Sequence, residues 1–292
     1  MAGTVRVHVW GGIGSQLHAI FLLKSLQSYF PKKHFVFFHH EYKNYPFRMS
    51  TLEPEVRFFY PGHTYCVSRD IQMPSPVVES IGAMRAFLLK DRFANFLSKK
   101  VLRRTLYAIG LYWEPKSFQL IPKLPRVCTD IVGHYSELRF PISLYDELLN
   151  KITPISKSAT FFVHYRSGDL NLFGKTEISF SRIVNLLGNL STSPGESLIV
   201  YSENEFMSQE DSAHLSKRFL LENIGIELGV ENFFTQSVNA GNFIGTNSKA
   251  SLWIAMLRCI QGHYDSTFLP ISMRENFRQF QPMESTFEPR YY

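Results

Sequence analysis

The chain has 292 residues, of which 45% are hydrophobic and 19% are charged, and its 31 Lys and Arg outnumber its 25 Asp and Glu for a formal net charge of +6. This composition excludes disordered and fibrous proteins, and the length suits one large or two medium domains that bury a core without disulfides or a structural metal. The three cysteines are scattered and lack the spacing of a zinc site, so no metal is expected.

The first predicted elements are a strand, a turn and a helix in succession. Residues 5–10 alternate as a strand does, the glycine-rich run at residues 11–14 predicts a tight turn, and apolar residues at helical spacing continue to about Phe30. Residues 34–39 and 56–60 are predicted to be the second and third strands. This pattern indicates an open α/β sheet in the first half of the chain.

A basic amphipathic helical segment is predicted over about residues 80–113. Its Phe and Leu residues are interspersed with basic ones, among them Lys99, Lys100, Arg103 and Arg104. Two interpretations stay open. The segment is either a helical insertion packed on its own domain with a solvated basic face, or a surface for peripheral contact with an anionic membrane.

Prolines between residues 115 and 154 mark a connector, and a second α/β series follows it. Strands are predicted at residues 160–164, 197–202, 230–234 and 266–269, and helices at 179–190, 208–221 and 249–260. We therefore predict an N-terminal domain over 1–153 and a C-terminal domain over 154–292 whose tail crosses back. Two Rossmann-like α/β domains facing a cleft are the simplest architecture, and such sheets bind ligands at the carboxyl ends of their strands.

The turn at Gly11, Gly12 and Gly14 is the first candidate site. Glycines let the backbone approach a ligand, and the following helix N-terminus offers N–H groups to an anion. Leu17 stands where a dinucleotide-binding fingerprint has its third glycine, which disfavours an NAD(P)-dependent oxidoreductase. A turn that needs glycine for its conformation alone is the alternative.

The segment HYRSGD at residues 164–169 is the second candidate site, because a hydrophobic strand delivers His164, Arg166 and Asp169 to its carboxyl end. The planar guanidinium of Arg166 suits a diphosphate, and Asp169 can hold the turn through backbone N–H groups. An Arg and Asp pair that only fixes a loop is the alternative.

Polar residues after two further predicted elements are expected on the same rim. Ser202 and Glu203 follow a strand, while Asn247 and Ser248 stand near the start of an apolar helix. Small hydroxyl and amide groups at a helix start suit phosphate, and plain N-capping is the alternative.

In this order and spacing, four segments resemble the bacterial α-1,2-fucosyltransferases of glycosyltransferase family 11. Residues 11–17 (GGIGSQL) are similar to the GGLGNQ-type loop of that family, residues 133–140 (GHYSELRF) to its GYFQSEKYF-type segment, residues 164–169 to HxRRGD, and residues 246–253 (TNSKASLW) to SNSTFSWW. Ser15 and Ser167 depart from the family pattern, and Ser167 removes one positive charge.

The resemblance implies a GT-B fold, with an acceptor domain followed by a domain that binds GDP-fucose. It also implies metal-independent transfer of fucose, with inversion, to a sugar hydroxyl in surface polysaccharide or O-antigen synthesis, without a further cofactor. Arg166 is expected to hold the β-phosphate. The residues expected to bind the donor are Gly11, Gly12, Gly14, Gln16, His164, Asp169, Ser202, Glu203, Asn247 and Ser248. Another nucleotide sugar, or a nucleotide-sugar-binding protein without activity, remains as an alternative.

The general base for the acceptor hydroxyl stays open at this stage. The N-terminal rim offers His8, His18, His39, His40 and Glu41, of which His18 and Glu41 are the catalytic candidates, and a departing phosphate is the alternative proton acceptor.

The expected partner is a glycan acceptor, lipid-linked if residues 81–113 meet a membrane, and no nucleic acid is expected. The N-terminus runs straight into a predicted strand, and no stretch approaches the ~18 apolar residues that span a bilayer. A cytoplasmic location is therefore expected, at the inner membrane face in the membrane interpretation.

Overall fold

The computed structural model describes residues 4–42, 54–70, 104–133, 135–155, 158–166, 178–202, 209–224 and 228–292. Most of the helical segment predicted over residues 80–113 lies outside these ranges, and its described end is helical over 104–108. The described residues divide into two compact units between Leu138 and Arg139. We call them the N-terminal unit and the C-terminal unit.

The N-terminal unit is built on a parallel sheet. Its elements are β1 (Thr4–Trp10), α1 (Ile13–Tyr29), β2 (His34–Tyr42), β3 (Tyr65–Asp70), β4 (Tyr112–Trp113) and β5 (Asp130–Ile131), with 3₁₀ turns at Glu55–Phe58 and Phe118–Lys123. Within the described ranges the strand order is β3-β2-β1-β5-β4, and every pairing is parallel. The helix α1 is apolar on nearly all sides and is buried along most of its length, as a core helix is.

The strand predicted at residues 56–60 is wrong. Residues Glu55–Phe58 form a 3₁₀ turn, and the backbone N–H of Val56 donates to the side-chain oxygen of Gln16 on α1 at 3.1 Å. That bond replaces a strand partner, and the sheet instead takes β3 as its edge strand. A contact across 40 residues decided this conformation, which local β propensity cannot reveal.

The C-terminal unit contains a second parallel sheet. Its elements are α2 (Ile142–Leu149), β6 (Phe161–His164), α3 (Phe180–Leu190), β7 (Glu196–Tyr201), α4 (Gln209–Ser216), β8 (Phe219–Ile224), α5 (Val230–Asn239), β9 (Asn242–Gly245), α6 (Lys249–Ile260), β10 (Thr267–Leu269), α7 (Arg274–Phe280) and β11 (Arg290–Tyr291). Among the described residues the strand order is β11-β10-β9-β6-β7-β8, again with every pairing parallel. The mixed α/β class predicted for both halves is confirmed.

Two predictions in the second half are wrong. Residues 230–234 are not a strand but the first half of the helix α5, and the helix predicted over 208–221 ends at Ser216, after which β8 begins. In α5 the apolar residues Val230, Phe233, Phe234 and Val238 follow helical spacing, and the last three are buried. Residues 230–234 (VENFF) fit a strand only when the residues that follow them in α5 are left out.

The helix α2 explains where the two units divide. Its Tyr145 ring lies 5.4 Å from the ring of Trp253 on α6, and its hydroxyl donates to the carbonyl of Phe280 at 3.0 Å. The sequence-based boundary near Pro154 assigns this helix to the first domain, whereas its contacts belong to the C-terminal unit. Among the described residues, no helix is both long enough and apolar enough to cross a membrane.

Candidate functional site

The carboxyl ends of β6 and β9 lie side by side in the C-terminal unit. His164 is paired with Gly245 in the sheet register, so the residues that follow them, Arg166 and Thr246, leave the sheet together. The Thr246 hydroxyl donates to the carbonyl of His164 at 3.0 Å and accepts from the backbone N–H of Arg166 at 2.9 Å. One threonine thus fixes the backbone of Arg166 beside the start of α6. We call this edge, from His164 to Arg166 and from Thr246 to Lys249, the C-terminal rim.

The start of α6 is electropositive. The Ser248 hydroxyl caps the helix by accepting from the backbone N–H of Ala250 at 3.1 Å. Lys249 is the first residue of α6, and the first turn of this helix, all of which is described, contains no acidic residue. The exposed N–H groups of a helix start carry a partial positive charge that favours anions. Together with the half-buried Arg166, this end of the sheet is suited to a phosphate group.

The side chain of His164 is buried inside the edge of the sheet that forms the C-terminal rim. Its ring is 3% exposed, its Nδ1 lies 2.8 Å from the Ser251 hydroxyl, and it packs against Phe233 at 4.9 Å between ring centres. Burial, with a smaller contribution from the charge of Arg166, lowers the pKa of His164 to about 3. The ring is therefore neutral and held in one orientation, below the loop that carries Arg166.

The other residues predicted for the C-terminal rim fall in three groups. Ser202 follows β7 directly and is 1% exposed, so its side chain lies inside the edge of the sheet. Asn247 is partly exposed, and its side-chain oxygen accepts from the Ser272 hydroxyl at 2.9 Å. Asp169 and Glu203 lie outside the described residues.

The glycine turn of the N-terminal unit connects β1 to α1. Gly11 has a φ of +96°, in the left-handed region that favours glycine, and Gly12 caps α1 with its carbonyl, which accepts from the backbone N–H of Ser15 and Gln16. The Gln16 amide donates to the carbonyl of Gly11 at 3.1 Å and is 1% exposed. Gln16 thus ties the turn to the 3₁₀ segment at Val56, so its described contacts are structural.

The two predicted catalytic candidates of this unit are placed differently. His18 is 2% exposed, and its Nδ1 lies 2.8 Å from the carbonyl of Gly14 in the same helix. A carbonyl only accepts, so this Nδ1 carries the proton and ties the ring to the first turn of α1. Glu41 lies near the end of β2, where its backbone pairs with Arg69, and its side chain is not described.

A buried polar network that the sequence does not reveal crosses three strands of the N-terminal unit. The Nδ1 of His8 on β1 lies 2.8 Å from the Nε2 of His40 on β2, and the Nε2 of His8 lies 2.7 Å from a carboxylate oxygen of Asp130 on β5. His8, His40 and Asp130 are 0%, 1% and 1% exposed. We call these three residues the Asp-His-His chain.

Asp130 is held in its ionised form. Burial alone would raise the pKa of this carboxyl, but hydrogen bonds from His8, Arg6 and Thr129 outweigh burial and lower the pKa below its usual value. The Arg6 Nε and the Thr129 hydroxyl each lie 2.7 Å from a carboxylate oxygen. Tyr135 follows β5 in the chain, and its hydroxyl donates to the backbone carbonyl of His8 at 2.7 Å, which ties this segment to β1.

The sequence signal that could have identified the Asp-His-His chain is weak. Arg6 and His8 are polar residues on one face of an otherwise apolar strand, and His40 falls on the same face of the next strand once the register is known. Asp130 follows at a distance of 122 residues. Within the described ranges, no group of three or more His, Cys, Asp and Glu is arranged to hold a metal ion.

A separate groove of about 470 Å³ lies at the other end of the sheet in the C-terminal unit. It is lined in part by Asn150, Asn239 and Gln261, at the carboxyl ends of α2, α5 and α6, and by the carboxylate of Asp146. Helix carboxyl ends and an acidic side chain both disfavour phosphate. The C-terminal rim, and not this groove, is therefore the candidate phosphate site.

No protein-family model matches the chain, and no curated protein sequence matches it. Two solved structures of the wall teichoic acid polymerase TagF are distantly similar. The first, soaked with CDPG, has 11% identity and a TM-score of 0.29 over 92% of this chain and 70% of TagF. The second has 9% identity and a TM-score of 0.29 over 96% of this chain and 73% of TagF. At these values neither similarity identifies the fold or the activity of this chain.

Proposed function

We propose that this protein is a glycosyltransferase that uses a nucleotide diphosphate sugar, with the diphosphate bound at the C-terminal rim. The observation that supports the proposal is the Thr246 bridge, which fixes the backbone of Arg166 beside the electropositive start of α6. An arginine and a helix N-terminus at the same edge of a sheet supply the kinds of group that bind a diphosphate. The resemblance to family 11 fucosyltransferases adds GDP-fucose as the first donor to test.

In this mechanism the bond between the anomeric carbon and the β-phosphate oxygen breaks, and negative charge collects on the departing diphosphate. In this proposal Arg166 and the N–H groups at the start of α6 stabilise that charge, because donors aimed at developing charge lower the barrier most when they are preorganised. In the same proposal Asn247 and Ser248 line the nucleotide side of the C-terminal rim. The same proposal includes inversion at the anomeric carbon, the GT-B arrangement, a glycan acceptor and contact of residues 81–113 with a membrane.

The test is nucleotide binding by the wild type, Arg166→Ala and Arg290→Ala. Arg290→Ala is a matched control, because it also removes one positive charge from the C-terminal unit. The Arg290 side chain is 58% exposed and, among the described residues, pairs only with Asp265. Each variant is heated with GDP, UDP and ADP and with their sugars. A ligand at 100 times its dissociation constant adds about 2.7 kcal/mol of stability, which a melting curve detects.

We expect one nucleotide family to stabilise the wild type and Arg290→Ala but not Arg166→Ala. With GDP-fucose as donor, we expect Arg166→Ala to lower turnover by about 10²–10³, the usual loss when one preorganised donor is removed. Unchanged nucleotide binding by Arg166→Ala, or no nucleotide binding by the wild type, contradicts the proposal. Binding without release of the sugar identifies a nucleotide-sugar-binding protein instead.

A further inference from the structure

The C-terminal rim lies at the point where the connections of its sheet change direction. From β6 the chain passes through α3 to β7 on one side, and from β9 it passes through α6 to β10 on the other side. The strands β6 and β9 are themselves neighbours. Open parallel sheets bind ligands at the carboxyl ends of two such strands, between the segments that leave in opposite directions.

The helices α3 and α6 lie on opposite faces of this sheet. His164, the last residue of β6, has its Nδ1 2.8 Å from the hydroxyl of Ser251 on α6. The next residue, Tyr165, packs on Phe180 of α3 at 5.2 Å between ring centres, and its hydroxyl donates to the carbonyl of Ile178 at 2.9 Å. Successive side chains of an extended chain point to opposite faces. The start of α3 therefore flanks the C-terminal rim on the face opposite to α6.

Arg182 stands in the first turn of α3, over an aromatic ring that is bonded to the rim. Its guanidinium carbon lies 5.5 Å from the ring centre of Tyr292. The Tyr292 hydroxyl donates to the carbonyl of Gly245, the last residue of β9, at 2.9 Å. Tyr292 thus joins Arg182 to the residue that comes immediately before Thr246.

Tyr292 is itself held firmly in place. Its backbone N–H donates to the carbonyl of Leu269 at 3.0 Å, and its carbonyl accepts from the N–H of Ile271 at 2.9 Å. Its ring is partly buried against the apolar cluster that contains Tyr165 and Phe180. A guanidinium held on the face of a fixed ring keeps its N–H donors available to an anion at its edge.

The donors of Arg182 are not used within the described part of the C-terminal unit. The side chain is exposed, and no oxygen of the described residues accepts a hydrogen bond from its guanidinium. Other arginines of this unit donate to carbonyl or carboxylate oxygens of the protein, namely Arg139, Arg218, Arg258, Arg274, Arg278 and Arg290. The planar fork of an arginine fits two oxygens of one phosphate group.

We propose that Arg182 is a second cation of the diphosphate site, which binds one phosphate of a nucleoside diphosphate while the other lies at the start of α6, with Tyr292 as a positioning residue. This inference rests on the proposed function. It adds a residue that no sequence pattern identified and a reason why the site prefers a diphosphate to a monophosphate. A monophosphate needs one such group, whereas the charge of a diphosphate is spread over two phosphates.

The first test is calorimetric binding of pyrophosphate and of phosphate, neither of which requires the base or the sugar to be known. It compares the wild type, Arg182→Ala and the control Arg290→Ala, which removes the same charge from a side chain paired with Asp265. At about 0.15 M salt the Debye length is about 8 Å, so the loss of a distant charge has little effect.

We expect Arg182→Ala to weaken pyrophosphate binding by about 10- to 100-fold, the usual effect of a hydrogen bond to a charged group, and phosphate binding far less. Arg290→Ala should keep both affinities, and Arg182→Lys should restore part of the loss, because it keeps the charge without the planar fork. GDP and GMP should repeat the contrast. Since Arg182 is exposed, we expect the melting temperature without ligand to stay unchanged.

The second test asks whether Tyr292 acts through Arg182. Tyr292→Leu removes the ring, and we expect it to weaken pyrophosphate binding by about 2- to 5-fold, the effect of one exposed cation–π contact. In the Arg182→Ala background the same change should have no further effect, whereas a merely structural loss would appear in both backgrounds. Full additivity of the two losses overturns the role of Tyr292.

The outcomes separate this inference from the proposed function. Wild-type pyrophosphate and GDP affinity in Arg182→Ala, together with a loss of both in Arg166→Ala, overturns the second cation and leaves the proposed function standing. An equal loss of phosphate and pyrophosphate affinity in Arg182→Ala overturns the preference for a diphosphate. If the wild type binds neither GDP nor pyrophosphate, the proposed function and this inference both fail.

Discussion

Arg258 on α6 is fully buried, yet its guanidinium is bonded to carbonyl and hydroxyl oxygens and, within the described part of the chain, to no carboxylate. It donates to the carbonyls of Val238, Ala240 and Gly241 at 2.9, 2.6 and 3.1 Å, and to the Thr267 hydroxyl at 2.9 Å. Burial lowers its pKa to about 10, so it is still charged at neutral pH. One side chain thus satisfies the carboxyl end of α5 and the entries to β9 and β10.

We expect Arg258→Met to destabilise the protein by at least about 3 kcal/mol, because it leaves several buried carbonyls without donors and each such group costs about 1–3 kcal/mol. The matched control is Arg290→Ala, whose exposed ion pair contributes about 0–1 kcal/mol. Urea unfolding measured for both variants checks this. A loss in Arg258→Met no larger than in the control would show that these carbonyls find other partners.

At the scale of single residues, the positions of the C-terminal rim on its strands and helix are easier to predict from the sequence than the contacts of the Asp-His-His chain. Arg166, Asn247 and Ser248 follow a strand or begin a helix, and such positions are visible in local periodicity. His8 and Asp130 are adjacent only because β1 and β5 pair in the folded sheet. No spacing rule links residues 122 positions apart, so the contact between His8 and Asp130 could not be predicted before the register was known.

Gly245 at the end of β9 shows how closely the elements of the C-terminal rim pack. A Cβ atom there would lie 2.8 Å from the Cβ of Ser251 on α6 and 2.9 Å from side-chain atoms of Leu269 and Phe243. All three distances are shorter than those that real Cβ atoms make in folded proteins. The Ser251 atom belongs to the neighbouring helix α6, and the Leu269 atom belongs to the neighbouring strand β10. The close approach of α6 to the sheet therefore requires glycine at this position.

We expect Gly245→Ala to cost about 1–3 kcal/mol through overpacking, and to weaken nucleotide binding because it displaces the start of α6 next to Thr246. Gly62→Ala is the control, since a Cβ there meets nothing within 4 Å. Thermal melting with and without GDP measures both effects. An alanine at 245 that leaves melting temperature and GDP binding at wild-type values would contradict the packing argument.

At the scale of elements, the sequence predicted those whose hydrophobic period is long and uninterrupted. The helices α1, α3 and α6 and the strands β1, β2, β6 and β7 lie within a few residues of their predicted positions. The errors share one cause, which is a short apolar run that fits both a strand and a helix. At Val230 the longer helical period favours the helix, and at Val56 the backbone N–H donates to the side-chain oxygen of Gln16 in place of a strand partner.

At the scale of the whole molecule, each unit contains, among its described residues, a buried histidine with a strongly lowered pKa. The pKa is lowered to about 3 for His40 in the N-terminal unit and for His164 in the C-terminal unit, in both cases mainly by burial. Both values lie below the ordinary histidine value of 6.5, so between these limits the unfolded chain binds more protons than the folded one. The stability contributed by each neutral ring is complete above pH 6.5 and is lost as the pH falls toward 3.

We therefore expect acid to weaken both units, each by about 2 kcal/mol between pH 7 and pH 5. His164→Gln removes the ionisable ring from one unit and His40→Gln from the other, so each should remove the acid sensitivity of its own unit only. The exposed His34→Gln leaves both sensitivities in place. Urea unfolding at the two pH values gives the size of the loss, and amide hydrogen exchange read by peptide assigns it to the strands of one unit. If His164→Gln kept the full acid loss in β6, β7 and β9, the buried neutral ring would not be its source.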